Sequence, residues 1–120
     1  MKVLLIEDER EIATSLAEDL KQLRPQIDIV GTASCIDVAV RMINKNQDLD
    51  LIFADILIDD GMSFRVFEQV STNAMVVFTT AYDEFALKAF DYNCVDYLLK
   101  PVSLDSLARS LARYDNRIIT

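Results

Sequence analysis

Histidine is absent from the 120 residues. That removes Ser-His-Asp and Cys-His hydrolases, histidine-ligated zinc sites and any phosphohistidine relay carried by this chain itself. Glycine and proline number two each, which excludes collagen-like, low-complexity and disordered character. The longest purely apolar run falls far short of the ~20 residues of a membrane span. Cysteine is as scarce. Cys35 and Cys94 form no C-x-x-C pair, and the short apolar run between Lys2 and Glu7 is no secretory signal, so a reducing, cytoplasmic setting is expected. Basic side chains are outnumbered, 12 Lys and Arg against 20 Asp and Glu, a net charge of −8. Such a surface repels phosphate backbones, so direct nucleic-acid binding by this domain is not expected. What remains is a chain 52% hydrophobic, of a length suited to one soluble domain whose core needs no disulfide or structural metal.

The apolar periods alternate in kind along the chain. Val3 to Ile6 reads as a strand that stops at the acidic run Glu7-Asp8-Glu9, and Ile12, Leu16, Leu20 and Leu23 follow at helical spacing up to Pro25. Ile27, Ile29 and Gly31 alternate as in an edge strand. Ser34 with Asp37 resembles a capping box, opening a helix that buries Ile36, Ala39, Val40 and Ile43. Leu49 to Ala54 is a central strand ending at Asp55, followed by a loop around Asp59-Asp60-Gly61 and a short helix with Phe64, Phe67 and Val70 inward. Ala74 to Phe78 forms a fourth strand ending at Thr79-Thr80. Phe85, Ala86, Ala89 and Phe90 mark a fourth helix, with Phe85 and Phe90 read as core in preference to a dimer face. Val95 to Leu99 forms a fifth strand ending at Lys100-Pro101, and Leu104, Leu107, Ala108 and Leu111 a fifth helix. Residues 116–120 are read as a cut point or linker. Strands alternating with helices predict an α/β fold, a doubly wound five-stranded parallel sheet with right-handed crossovers.

In an open parallel sheet, ligands bind beyond the carboxyl ends of the strands. At those ends stand Glu7 and Asp8, Asp55, Thr79 and Thr80, and Lys100. Each alone has a plain reading as a turn residue, a strand-end hydroxyl or a solvated charge. Together they are three acids, a hydroxyl and one lysine brought to one edge from distant parts of the chain. Carboxylates ~4–5 Å apart repel by about 4 kcal/mol at an effective dielectric near 20, and a hard cation such as Mg²⁺ relieves this while leaving positions open for a phosphoryl group. An Asp can attack phosphorus to form an acyl phosphate, and a lysine and a hydroxyl suit the outer phosphoryl oxygens.

Four segments, Val3-Leu4-Leu5-Ile6-Glu7-Asp8-Glu9, Leu51-Ile52-Phe53-Ala54-Asp55-Ile56, Phe78-Thr79-Thr80-Ala81 and Asp96-Tyr97-Leu98-Leu99-Lys100-Pro101, resemble in this order the receiver domain of two-component response regulators. The likeness spans essentially the whole chain. The run Thr79 to Phe90 and the tetrapeptide Leu98 to Pro101 are most similar to receivers of the LytR/AlgR type, whose partner is a LytTR DNA-binding domain. The resemblance implies a flavodoxin-like sheet of order 2-1-3-4-5, with 1–120 as the receiver and the effector domain outside this chain. It implies Asp55 as the phosphoacceptor from a histidine on a sensor kinase. Mg²⁺ would be held by Asp8, Asp55 and the Leu57 carbonyl, with Glu7 reaching it through water. It further implies Thr80 as the switch hydroxyl, Lys100 as the partner of the phosphoryl group, Tyr97 as the switch aromatic and a cis Lys100-Pro101 bond. Output, or a homodimer, would use the face of helix 4, strand 5 and helix 5. The domain would catalyse only its own phosphorylation and dephosphorylation. Departures are Glu7 where many receivers carry Asp, Asp59 in the place of a Pro and Ser63 in that of a Gly. Leu57 and Tyr82 stand where water access is set, which implies slow hydrolysis of the acyl phosphate.

Three other readings share parts of the pattern. A haloacid-dehalogenase-like phosphatase also uses an Asp nucleophile, Mg²⁺, Thr and Lys, but its Asp-x-Asp closes the first strand, where this chain has Glu7-Asp8-Glu9-Arg10. A flavodoxin-like cofactor binder needs a phosphate-cradling turn there, and Glu7 repels phosphate. A pseudo-receiver keeps the fold and serves only as an interaction module.

Overall fold

The computed structural model describes residues 1–119. Seven strands form, β1 (Lys2–Ile6), β2 (Asp28–Ala33), β3 (Leu51–Asp55), β4 (Leu57–Ile58), β5 (Gly61–Met62), β6 (Met75–Thr80) and β7 (Cys94–Leu99). The helices are α1 (Arg10–Leu23), α2 (Ile36–Lys45), α3 (Phe64–Phe67), α4 (Ala86–Ala89) and α5 (Leu104–Ile119), with a 3-10 turn at Phe90–Tyr92. Strands β2-β1-β3-β6-β7 make one parallel sheet, and β4-β5 is a separate antiparallel hairpin. Counting only the main sheet, the order is the expected 2-1-3-4-5. Among the described residues no helix is long and apolar enough to cross a membrane.

The period of two along each strand splits the core into two layers. Leu4, Ile6, Ile52, Ala54, Val76 and Phe78 face α2, α3 and α4, while Val3, Leu5, Leu51, Phe53 and Val77 face α1 and α5. Every residue of β3 is buried, as befits a strand covered on both faces. Phe64 packs edge-on to Phe78 with ring centres 5.2 Å apart and stacks on Tyr92 at 5.1 Å, which seats the four-residue α3 firmly against the sheet. Asn93 adopts the left-handed region (φ 53°), and its side-chain amide donates to the Ala74 carbonyl, turning the chain into β7.

Several local expectations are corrected. The capping box at Ser34 does not form: α2 starts after Cys35, and the Ile36 N–H donates instead to the Asp60 carboxylate at 3.1 Å, so a distant turn supplies the cap. The Asp59-Asp60-Gly61 loop is the turn and first strand residue of the β4-β5 hairpin, with Gly61 at φ 141° where an L side chain is strained. Val70 lies beyond α3 but still packs on the core. Ala108 is exposed, and Ser110 and Tyr114 join Leu107 and Leu111 on the buried side of α5. Ser103 caps that helix by accepting the Ser106 N–H at 3.1 Å. Residues 116–119 continue α5 and are no linker; Thr120 lies outside the described residues. Of the two aromatics read as core on the fourth helix, Phe85 is half-buried and Phe90 is 66% exposed.

Candidate functional site at the carboxyl edge of the sheet

Parallel registry brings the polar residues together. Ile6 pairs with Ala54, so the next residues along, Glu7 and Asp55, emerge side by side at the ends of β1 and β3. Asp55 pairs with Thr79 and Thr80 with Leu99, which puts Lys100 one step past the end of β7 on the same rim. The Lys100 stem reaches back across β6, and its ammonium donates to Glu7 Oε1 and Asp55 Oδ2, both at 2.7 Å. Its backbone N–H donates to the Thr80 carbonyl at 2.7 Å, anchoring the stem. The Lys100-Pro101 bond is cis, as the resemblance implied.

Glu7, Asp8 and Asp55 each present an oxygen within 4.8 Å of the others. Glu7 and Asp55 are only 3% and 7% exposed, whereas Asp8 is half-buried at the lip of a groove. Burial pushes the Glu7 carboxyl above its ordinary value, against the pull of the Lys100 bond and of the Glu9 N–H that it accepts. Burial alone would lower Lys100, but its bonds to Asp55 and Glu7 together raise it. Three carboxylates against one ammonium leave two negative charges, and among the described residues Asp8 has no ion pair. Oxygen donors at this spacing with a surplus of two charges match a hard divalent cation.

The other sequence-predicted residues stand nearby in distinct arrangements. The Leu57 N–H donates to Asp55 Oδ1 at 3.3 Å, orienting the carboxylate from the first residue of the hairpin. Thr80 is fully buried, and its hydroxyl accepts the Tyr82 N–H at 3.3 Å, with no bond to Asp55. Tyr97 is half-buried and its phenol donates to the Tyr82 carbonyl. Thr80 and Tyr97 therefore grip the same residue, one at each of its backbone polar groups.

Three acids beyond the expected set matter here. Asp59, in the hairpin turn, is raised from its ordinary value by a hydrogen bond with Asp8, and further by the charges of Asp8 and Asp60. Asp60 caps α2. The Asp-Asp-Gly run signals a turn, but which element that turn abuts is not written in it. Asp96, read only as part of a motif, is buried and accepts from Ser110 Oγ (2.7 Å), Arg113 (2.8 Å), Arg109 (3.1 Å) and the Tyr97 N–H (2.9 Å), tying β7 to α5.

Residues 3–112 match the family described as response regulator receiver domain. The chain is 32% identical over 117 residues to the sensory transduction protein LytT of Bacillus anthracis, covering 95% of this chain and 47% of that protein. It is 36% identical over 120 residues to the sensory transduction protein LytR of Streptococcus mutans, covering 94% and 48%. The chain thus spans about half the length of the curated relatives it matches. Among solved structures, the response regulatory domain of protein mrkE from Klebsiella pneumoniae superposes with a TM-score of 0.85 at 28% identity over 98% of this chain and 97% of that one. With matching strand order, an acidic rim and a lysine at its far end, the chain belongs to the receiver domains of two-component response regulators and is similar to LytT and LytR.

Proposed function

We propose that this domain accepts a phosphoryl group on Asp55 from the phosphohistidine of a sensor kinase and, in response, changes the face built by α4, β7 and α5. The observation that carries this is the Lys100 ammonium at 2.7 Å from both Asp55 and Glu7, with Asp8 completing a triad of oxygens within 4.8 Å. Asp55 Oδ forms a bond to phosphorus as the P–N bond breaks, and the imidazole departs with that electron pair. The donor histidine comes from the partner, which accounts for its absence here.

The acidic rim fits Mg²⁺. Asp8, Asp55 and the Leu57 carbonyl would hold it, with Glu7 acting through water. When bound, Mg²⁺ neutralises the crowded carboxylates and the charge gathering on the transferred oxygens. Lys100 gives its two carboxylate bonds a third claimant, the phosphoryl oxygens, and Thr80 turns its hydroxyl toward them. That turn releases the Tyr82 N–H, and the Tyr82 carbonyl is what holds the Tyr97 phenol. Phosphorylation is thus transmitted through one backbone residue to Tyr97 and to the surface beside it, as a shift between two populated states.

That surface carries Leu87, Phe90 and Leu99, at 87%, 66% and 51% exposure, a patch suited to a homodimer or to an effector domain. The likeness to LytT and LytR supports transcriptional output through a LytTR-type DNA-binding domain outside this chain, with no nucleic-acid contact by the acidic receiver itself. Two free cysteines fit a cytoplasmic setting. The chemistry is self-modification, with no turnover of a foreign substrate.

Incubation with acetyl phosphate and Mg²⁺ followed by intact-mass measurement tests the proposal. A single phosphoryl adduct that Asp55→Asn abolishes is expected. Its absence from the wild type would leave a pseudo-receiver, and sustained phosphate release from a foreign ester would mark a phosphatase.

A further inference from the structure

The Asp59 carboxylate has no part in the scheme above. It stands first in the two-residue turn between β4 and β5, a turn pinned at its other residue because the Asp60 carboxylate accepts the Ile36 N–H at 3.1 and 3.4 Å. So held, Asp59 lies within hydrogen-bonding reach of the Asp8 carboxylate, and Glu7, Asp8 and Asp59 line one groove of about 640 Å³. Arg10 and Lys21 also line that groove, but neither pairs with Asp8 or Asp59; the Lys21 ammonium donates to the Ile27 carbonyl at 3.3 Å. Two carboxylates this close, neither ion-paired among the described residues, repel unless a cation or its water comes between them.

Mg²⁺ gives up its waters reluctantly and keeps several of them when bound through one or two carboxylates. Those waters donate hydrogen bonds outward, and the acceptors they meet help set affinity. We propose that Asp59 is an outer carboxylate of the divalent-cation site, accepting a hydrogen bond from water on the ion held at Asp8 and tightening its binding. The inference rests on the reading that Glu7, Asp8 and Asp55 hold Mg²⁺. Asp59 touches neither the phosphoryl group nor Asp55 in this account, so it acts as a positioning residue whose effect is on cation affinity.

Calorimetric titration of the full chain with MgCl₂ tests this on the wild type, Asp59→Asn, Asp59→Ser and Asp28→Asn, the last removing an equal charge from the exposed start of β2. Turn positions accept Asn and Ser readily, and thermal unfolding checks that each variant is folded. Both Asp59 variants are expected to weaken Mg²⁺ binding by roughly 3–10-fold, and Asp28→Asn to leave it unchanged. Equal affinity in the wild type and the Asp59 variants, or an equal loss in Asp28→Asn, overturns the role of Asp59 alone. A wild type with neither binding heat nor a magnesium-dependent rise in Tm overturns the metal site and the inference with it.

Discussion

At Glu7, burial and charge pairing oppose each other. Burial raises its carboxyl above the ordinary 4.5 despite the Lys100 bond, so the folded chain binds this proton more tightly than the unfolded one. Its contribution to stability is therefore fully present below 4.5 and is lost as pH rises through the raised value. Lys100 is raised too, so its contribution holds below 10.5 and is lost only as pH climbs through its own raised value. In the absence of metal, Glu7→Gln should gain stability relative to the wild type as pH rises from 4.5 toward neutrality, read by urea unfolding at a series of pH values. A difference independent of pH would contradict this. Mg²⁺ should reverse the order, raising Tm more in the wild type than in Glu7→Gln. Leu57 poses a kinetic question at the same rim. It is 37% exposed beside Asp55 and offers attacking water no polar contact from its side chain. Leu57→Asn should speed loss of the phosphoryl group by about tenfold, equivalent to about 1.4 kcal/mol of barrier. Phosphate release from the labelled protein measures it, and an unchanged rate removes Leu57 as the screen.

Among the elements, the β7-α5 pair depends on Asp96. Its buried carboxylate takes bonds from Ser110, Arg109 and Arg113, all on α5, and from the Tyr97 N–H on its own strand. The two guanidinium groups remain about half in water, so Asp96→Ala should destabilise by about 2–4 kcal/mol, at the lower side of what breaking a buried pair costs. Chemical denaturation checks the magnitude. A loss below about 0.5 kcal/mol would mean that apolar packing of Leu107, Leu111 and Tyr114 suffices to seat the helix. The α2 start shows the same dependence on a partner: its cap is Asp60, 24 residues away along the chain, and the hairpin and helix are locked as one piece beside the acidic rim.

At the scale of the whole molecule, the acidic rim at the sheet's carboxyl edge and the exposed apolar side chains Leu87 on α4, Phe90 in the 3-10 turn and Leu99 on β7 are linked through Thr80, Tyr82 and Tyr97. If Asp55 chemistry governs that patch, phosphorylation should tighten self-association by about 5–150-fold, the span of typical allosteric coupling. Sedimentation velocity with and without acetyl phosphate and Mg²⁺ reads this, with Asp55→Asn as the silent control. An unchanged monomer–dimer constant would assign the patch to a different partner.

The alternation of strand and helix, the residues closing each strand and the missing histidine were legible in the linear chain, because hydrophobic period and residue type are local properties. From them came the parallel sheet and the rim of Glu7, Asp8, Asp55 and Lys100. Parallel registry then decided that Lys100 bridges Glu7 and Asp55, and packing placed Ala108 in solvent and Ser110 in the core. Asp60 displaced Ser34 as the cap of α2, and Asp59 came to rest against Asp8. Such contacts join residues far apart along the backbone. Their geometry depends on how layers and turns settle against one another, which no local spacing encodes.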